Sequence, residues 1–360
     1  MRICFVLGTR PEFIKMAPII QLCEELGLNF FTIHTGQHYS YNMDSIFFKQ
    51  LNLPEPDYKL NIGSGGHGEQ TGRMLIGIEK ILRMERPDIV LVQGDTNTTL
   101  AGALVSTKLG IKVGHVEAGL RSYDRTMPEE INRTLVDHCS DLLFAPTEIS
   151  RCNLLNEGIP DDKIFVCGNT IVDVIYQKLK LIEQYRGVLN FMELKAKEYF
   201  LTTIHRQENV NDDQRFSRLL KGMEYLHEEF GLPIIYPIHP RSEDCLRLVN
   251  FKSNGIKVIE ALDYLSFLQL ERYARLILTD SGGVQEEACI LGVPCVTLRN
   301  NTERPETINV GANILAGTDP KDIIEKTKLM LSKNIDWSNP LGDGNASKRI
   351  IDAIINNFEN

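Results

Sequence analysis

The chain has 360 residues, a formal charge of −9 at pH 7 and 42% hydrophobic residues, which suits two α/β domains with their own cores. The acidic balance excludes a broad basic face for nucleic acid, and no apolar run approaches the roughly 20 residues of a membrane span. Residues 3–7 are too short for a signal-peptide core, and eight scattered cysteines without a C-x-x-C pair read as small buried hydrophobes in a reducing compartment, so a cytoplasmic protein is expected.

Short β-rich apolar runs alternate with amphipathic helical stretches. Strands are predicted over residues 2–7, 29–35, 88–93, 112–116 and 142–145, and again over 199–203, 233–237, 256–259, 276–279 and 294–298. Continuous apolar strands in such alternation predict an α/β protein with parallel sheets covered by helices on both faces. The two halves echo each other. Each opens with a strand running into a basic-acidic turn, Arg10-Pro11-Glu12 and Arg206-Gln207-Glu208. The expected architecture is therefore two Rossmann-like domains facing a cleft, residues 1–170 and 171–347. A final helix over 348–360 packs on either domain, the first included.

Open α/β sheets bind ligands beyond the carboxyl ends of their strands, so polar residues there come first. Arg10 and Lys15 follow the first strand, about one helical turn apart, within reach of a diphosphate. Lys15 alone reads better as part of a solvated first turn. Gly63 to Gly68 matches G-x-G-x-x-G with Asp88 about 20 residues on, but it does not follow the first strand and Asp88 begins a strand. A mobile loop, or a lid over the cleft, is the expectation there. His34 and His38 lack spaced Cys or His partners, so no metal site is assigned.

Asp95 and Glu117 each end a buried strand. Asp95 also suits a helix cap, whereas Glu117 is long and precedes a small-residue turn, which capping explains poorly. Glu129 and Glu130 follow Pro128, where acids favour a first helical turn, and capping is open for at least one of them. Carboxylates sharing a cleft push each other's pKa values apart, giving an acid and a base. Arg121 and Arg125 are positioned to offset their repulsion. His205 and His239 end strands in the second half, each beside an arginine, which favours phosphate binding or catalysis over a structural role.

Residues 276–288 read as a buried strand, a glycine turn and the start of a helix. Unpaired N–H groups and partial positive charge make such an end a phosphate site. Gly282 and Gly283 remove side chains from it. Glu287, within the helix, has a carboxylate able to accept hydrogen bonds from a ribose. Arg299 and Arg304 add positive charge, and Arg304 suits bidentate pairing with a diphosphate.

Taken together, GTRPEFIK (8–15), QGDT (93–96), HVEAGLR (115–121), PEEINR (128–133), GNT (168–170), His205-Arg206, DSGGVQEE (280–287) and TERPE (302–306) occur in an order and spacing that resemble the non-hydrolysing UDP-N-acetylglucosamine 2-epimerases along nearly the whole chain. The resemblance implies a two-domain fold like the GT-B glycosyltransferases, a homodimer, and no metal or redox cofactor. It implies reversible conversion of UDP-N-acetylglucosamine to UDP-N-acetylmannosamine, for polysaccharide or glycan synthesis. Carried over by position, Arg10, Lys15, Ser281, Gly282, Gly283, Glu287 and Arg304 would bind UDP, with Leu262 and Phe267 beside the uracil. Asp95, Glu117, Glu129 and His205 would be the catalytic group. Gln37, His38 and His239 would contact a second UDP-N-acetylglucosamine acting as effector, although Tyr39-Ser40-Tyr41 departs from the pattern of relatives regulated in this way. Three alternatives stand beside this reading. A glycosyltransferase would need an acceptor surface, a hydrolysing epimerase usually has a longer chain fused to a kinase, and a nucleotide-sugar sensor gains nothing from acids near a diphosphate.

Overall fold

Buried apolar strands form a parallel sheet in each half of the chain. The computed structural model describes residues 1–36, 48, 50–184, 187–238, 246 and 255–359. It divides into one unit of Met1–Tyr176 with Leu341–Asn360 and a second of Gln177–Pro340.

Among the described residues, the strands of the first unit are Arg2–Leu7 (β1), Asn29–His34 (β2), Tyr58–Lys59 (β3), Ile89–Gln93 (β4), Lys112–Val116 (β5), Leu142–Ala145 (β6) and Ile164–Val166 (β7). All pair in parallel, in the order β3-β2-β1-β4-β5-β6-β7. Its helices are Arg10–Glu25 (α1), His67–Glu85 (α2), Asn97–Lys108 (α3), Pro128–Cys139 (α4) and Glu148–Asn156 (α5), and Thr170–Gln184 (α6) runs on into the second unit. Ile3 to Leu7 and Ile89 to Val92 are wholly buried, because helices cover both faces of the sheet. Each such Val, Leu or Ile contributes about 1.5–3 kcal/mol.

The second unit follows with Gly187–Phe191 (α7), Phe200–Thr203 (β8), Gln207–Val210 (α8), Asp213–Phe230 (α9), Ile234–Pro237 (β9), Ile256–Ile259 (β10) and Tyr264–Tyr273 (α10). Leu276–Thr279 (β11), Gly282–Leu291 (α11), Cys295–Thr297 (β12), Pro305–Asn309 (α12), Asn313–Leu315 (β13) and Pro320–Ser332 (α13) are its further elements among the described residues. Its parallel sheet has the order β10-β9-β8-β11-β12-β13. The strands that sequence reading passed over, β3, β7 and β13, have two or three residues each, too few to display a period.

The last helix, Ala346–Glu359 (α14), packs against α1 of the first unit. Asp173 accepts hydrogen bonds from the Ala346 and Ser347 N–H groups at 3.2 and 2.9 Å, which supplies the acceptor that the start of α14 needs. Lys112 Nζ lies 4.5 Å from the centre of the Phe358 ring. Among the described residues, no helix is long and apolar enough to cross a membrane.

Strand order reverses direction between β1 and β4 in the first sheet and between β8 and β11 in the second. Such switch points splay neighbouring loops apart at the carboxyl edge and are where α/β sheets bind ligands.

Candidate active site

A buried glutamate stitches the first switch point together. Glu12 Oε2 accepts the Gly8 and Thr9 N–H groups at 2.8 and 2.6 Å, while Oε1 accepts the Thr96 and Thr99 hydroxyls at 2.7 and 3.1 Å. The loop after β1 is thereby tied to the loop after β4. Burial pushes the Glu12 carboxyl up, and these donors oppose the shift. Arg10 begins α1 beside this knot and is half-buried.

Glu117 leaves β5 with a left-handed backbone, φ 75°. A non-glycine residue pays for that conformation, and such strain persists where the surroundings fix it. Here they do. The carboxylate, on a side chain 6% exposed, takes the Lys15 ammonium and the Gln93 side-chain amide, with Asn169 Nδ2 at 3.3 Å. Lys15 therefore meets Glu117 within the first unit, and the solvated reading of Lys15 does not hold: its side chain is 8% exposed.

Asp95 does not cap the next helix. Thr96 does, its hydroxyl accepting the Thr99 N–H at 3.2 Å. The Asp95 carboxylate instead pairs with Arg133, and Asn132 Nδ2 donates to the Asp95 carbonyl at 2.9 Å. Arg133 also pairs with Glu130 at 2.8 Å. Glu130 is the structural member of the 129–130 pair: it accepts the Ser122 and Tyr123 N–H groups at 3.0 and 2.8 Å, folding the preceding loop over α4. Glu129 is the half-buried one. Arg121 is not available to balance these acids as expected, because it is committed to Asp137 at 2.8 Å and Glu157 at 2.6 Å. Asp137 also meets His115 Nδ1 at 2.6 Å, and His115 Nε2 lies 2.8 Å from the Gly94 carbonyl. Sequence reading missed this buried His115–Asp137–Arg121 network, although His115 lies inside an apolar strand, where a histidine needs partners.

The second switch point repeats the device of the first with an aspartate. Asp280, wholly buried after β11, accepts the His205 and Arg206 N–H groups at 3.0 Å and Asn209 Nδ2 at 2.9 Å. His205 Nδ1 is 2.8 Å from its Oδ1. Burial alone would raise this carboxyl, but His205, Asn209 and the Arg206 N–H outweigh it and hold it down at about 2. The His205 ring is thereby fixed through one nitrogen, as an orienting carboxylate does.

Ser281 caps α11, with Gly282 and Gly283 as the first two helical residues. Their reasons for being glycine differ. A Cβ at Gly282 would lie 2.5 Å from Glu303 Oε1, whereas one at Gly283 would meet nothing nearer than the Ser281 hydroxyl at 3.9 Å. Gly282 serves packing and Gly283 keeps the helix end open to a ligand. Arg304, 6% exposed, stands beside Gly282 and pairs with the buried Glu286. Arg299 does not add free positive charge: Glu303 lies 2.9 Å from its guanidinium and also meets Arg206 at 3.0 Å. Further along α11, Glu287 accepts the Tyr264 hydroxyl at 3.1 Å. Leu262 precedes α10 and Phe267 lies in its first turns, both half-buried.

Gln37, His38 and His239 lie outside the described residues. The glycine-rich stretch read as a loop becomes helical at His67, the first residue of α2, and Gln70 Nε2 ties it back to the Gly63 carbonyl at 2.7 Å. Among the described residues no cluster of His, Cys, Asp and Glu is arranged to hold a metal ion.

Chemically, the first unit offers carboxylates held by cations and amides at strand ends, suited to moving protons. The second offers an open helix end flanked by Arg304 and His205, suited to a phosphorylated group. Residues 21–355 match the family model of UDP-N-acetylglucosamine 2-epimerases. The chain is 57% identical over 358 residues to the UDP-N-acetylglucosamine 2-epimerase of Methanocaldococcus jannaschii, covering 98% of each chain. It is similar to the crystal structure of a Methanocaldococcus jannaschii UDP-GlcNAc 2-epimerase in complex with UDP-GlcNAc and UDP, with a TM-score of 0.95, 55% identity, and 99% and 100% of the two chains covered. A UDP-GlcNAc 2-epimerase of Neisseria meningitidis bound to UDP-GlcNAc gives a TM-score of 0.91 at 35% identity, covering 99% and 100%.

Proposed function

The chain belongs to the UDP-N-acetylglucosamine 2-epimerase family of isomerases, and from that membership we propose that it reversibly converts UDP-N-acetylglucosamine to UDP-N-acetylmannosamine by elimination and re-addition of UDP. The observation that carries the reading is Glu117, a buried carboxylate in a left-handed backbone, gripped by Lys15, Gln93 and Asn169 at a strand end. A structural glutamate has no use for that strain.

The proton on C2 of the sugar is adjacent to no carbonyl, so simple abstraction and return is slow. Elimination avoids the problem. A base takes the C2 proton as the bond between C1 and the UDP oxygen breaks, leaving a C1=C2 glycal and UDP. The UDP oxygen then adds back to C1 while an acid delivers a proton to the opposite face of C2. Asp95, Glu117 and Glu129 are the acid–base group of this reading, and His205 completes it. Arg10, Lys15, Arg304, Ser281 and the N–H groups at Gly282 and Gly283 stabilise the departing diphosphate. Glu287 accepts the ribose hydroxyls, with Leu262 and Phe267 beside the uracil. The same reading extends to a homodimer and to supply of an activated amino sugar for polysaccharide or glycan synthesis.

Incubating the protein with UDP-N-acetylglucosamine in deuterated water and following the sugar by NMR tests the reading. The expected product is UDP-N-acetylmannosamine with deuterium at C2. Free N-acetylmannosamine would indicate hydrolysis instead, and unchanged substrate would end the isomerase reading.

A further inference from the structure

Behind Glu287 lies a second carboxyl group that the reaction does not use. Glu271, on α10, is wholly buried, and neither of its oxygens has a hydrogen-bond donor among the described residues. It abuts Glu287 on α11. Tyr264 sits seven residues earlier on α10, two helical turns away on the same face, and its hydroxyl is already given to Glu287 at 3.1 Å. Among the described residues, the other titratable groups around Glu271 are the Tyr199 phenol ahead of β8, itself donated to the Leu270 carbonyl at 2.6 Å, and the Cys295 thiol on β12. Among these neighbours none is cationic.

Two ionised carboxylates cannot share such a place. Each has only acceptors to offer the other, and like charges at close range raise one pKa strongly. Burial and the Glu287 charge both push Glu271 well above the usual carboxylate range. The more exposed member, Glu287, at 7% against 0%, is the one able to stay ionised.

We propose that Glu271 is a neutral carboxylic acid at physiological pH whose proton is donated to Glu287, making Glu271 a positioning residue for the carboxylate that accepts the ribose hydroxyls. Two donors, the Tyr264 hydroxyl and the Glu271 proton, then fix the orientation of Glu287. Glu287 stays charged, and a charged acceptor binds a hydroxyl more strongly than a neutral one. The role in binding rests on the reading of Glu287 as the ribose acceptor; the proton itself does not.

The test therefore has two arms. In the first, infrared spectra of the ligand-free protein at neutral pH are compared between wild type, Glu271→Gln and Glu287→Gln. The carbonyl stretch of a buried protonated carboxylic acid is expected in the wild type, lost in Glu271→Gln and kept in Glu287→Gln. Absence of the band in the wild type, or its survival in Glu271→Gln, overturns the proposal. In the second, calorimetry gives the affinities for UDP and for 2′,3′-dideoxy-UDP, which shares the uracil and phosphates but lacks the diol. Glu271→Gln, which keeps an N–H donor, is expected to hold the wild-type preference for UDP. Glu271→Leu, which folds because an apolar group of similar size suits the burial, should reduce that preference about tenfold. An unchanged preference in Glu271→Leu overturns the positioning role. Equal binding of both ligands by the wild type would instead refute the ribose reading of Glu287, and the infrared arm alone then decides the protonated acid.

Discussion

Lys15 on α1 and Glu117 at the end of β5 form an ion pair across 102 residues of sequence, with side chains only 8% and 6% exposed. Both charges are removed from water, so each depends on the other for compensation. Among the described residues, the pair fixes the one carboxylate in the first unit whose backbone is also left-handed.

Removing one charge should therefore cost more than removing both. Lys15→Met is expected to lower unfolding stability by about 3–5 kcal/mol, because it strands a buried carboxylate. The double variant Lys15→Met/Glu117→Gln should recover most of that loss while remaining inactive. Urea unfolding and NMR turnover of the single and double variants check both statements. A Lys15→Met protein as stable as wild type would show that the pair contributes nothing to the fold.

Asp95 and Arg133 act as one unit, since the guanidinium that holds Asp95 is itself anchored on Glu130 at 2.8 Å. Asp95→Asn and Arg133→Met are each expected to reduce kcat by about 10²-fold or more. The double variant should be little worse than either alone, because groups acting together lose their effect together. UDP affinity, measured by calorimetry, should stay within a few-fold of wild type in Asp95→Asn. Multiplicative losses would mean that the two residues act separately.

The strands that build both switch points could be read from sequence because long apolar runs have few other uses. The acids at their ends were legible for the same reason: a charge after a buried strand stands out. Their division of labour was not. Glu129 and Glu130 are adjacent and chemically alike, and only the fold of residues 122–123 back onto Glu130 separates them. The left-handed backbone of Glu117 leaves no mark in sequence, since the residue carries no preference for it. Arg121 reads as a counter-charge to the strand-end acids and Arg299 as added positive charge, and they are instead consumed by Asp137, Glu157 and Glu303. For Arg121 the Glu157 partner lies 36 residues away, which no local pattern encodes.

The two glycines at the start of α11 should respond oppositely to the same substitution. Gly282→Ala places a methyl 2.5 Å from Glu303 Oε1, and Glu303 is held by Arg206 and Arg299, so the clash is expected to destabilise by about 1–3 kcal/mol. Gly283→Ala has room, with only the Ser281 hydroxyl at 3.9 Å. It should be neutral or stabilising by up to about 1 kcal/mol, yet weaken UDP binding by covering the helix N–H groups. Thermal unfolding and UDP calorimetry on the two variants separate the effects. Full UDP affinity in Gly283→Ala would remove this helix end from the diphosphate site.

Asp280 links the second unit to acid sensitivity, and the sign follows from its environment. Its folded pKa, about 2, is below the ordinary 3.8, because His205, Asn209 and the Arg206 N–H favour the charged form despite burial. A carboxyl depressed in the folded state contributes its full stability above the unfolded value. It loses that stability as pH falls from about 4 to about 2, when the unfolded chain takes up the proton first. The contribution at neutral pH is on the order of 2 kcal/mol, from a shift of nearly two units. Asp280→Asn should therefore be less stable than wild type at pH 7, with the gap narrowing below about pH 4. Because the same carboxylate orients His205, the variant should also lose turnover at pH 7 under conditions where it remains folded. Urea unfolding across pH 2–7 measures the first effect, and a gap that stays constant over that range would mean that the Asp280 charge does not stabilise the fold.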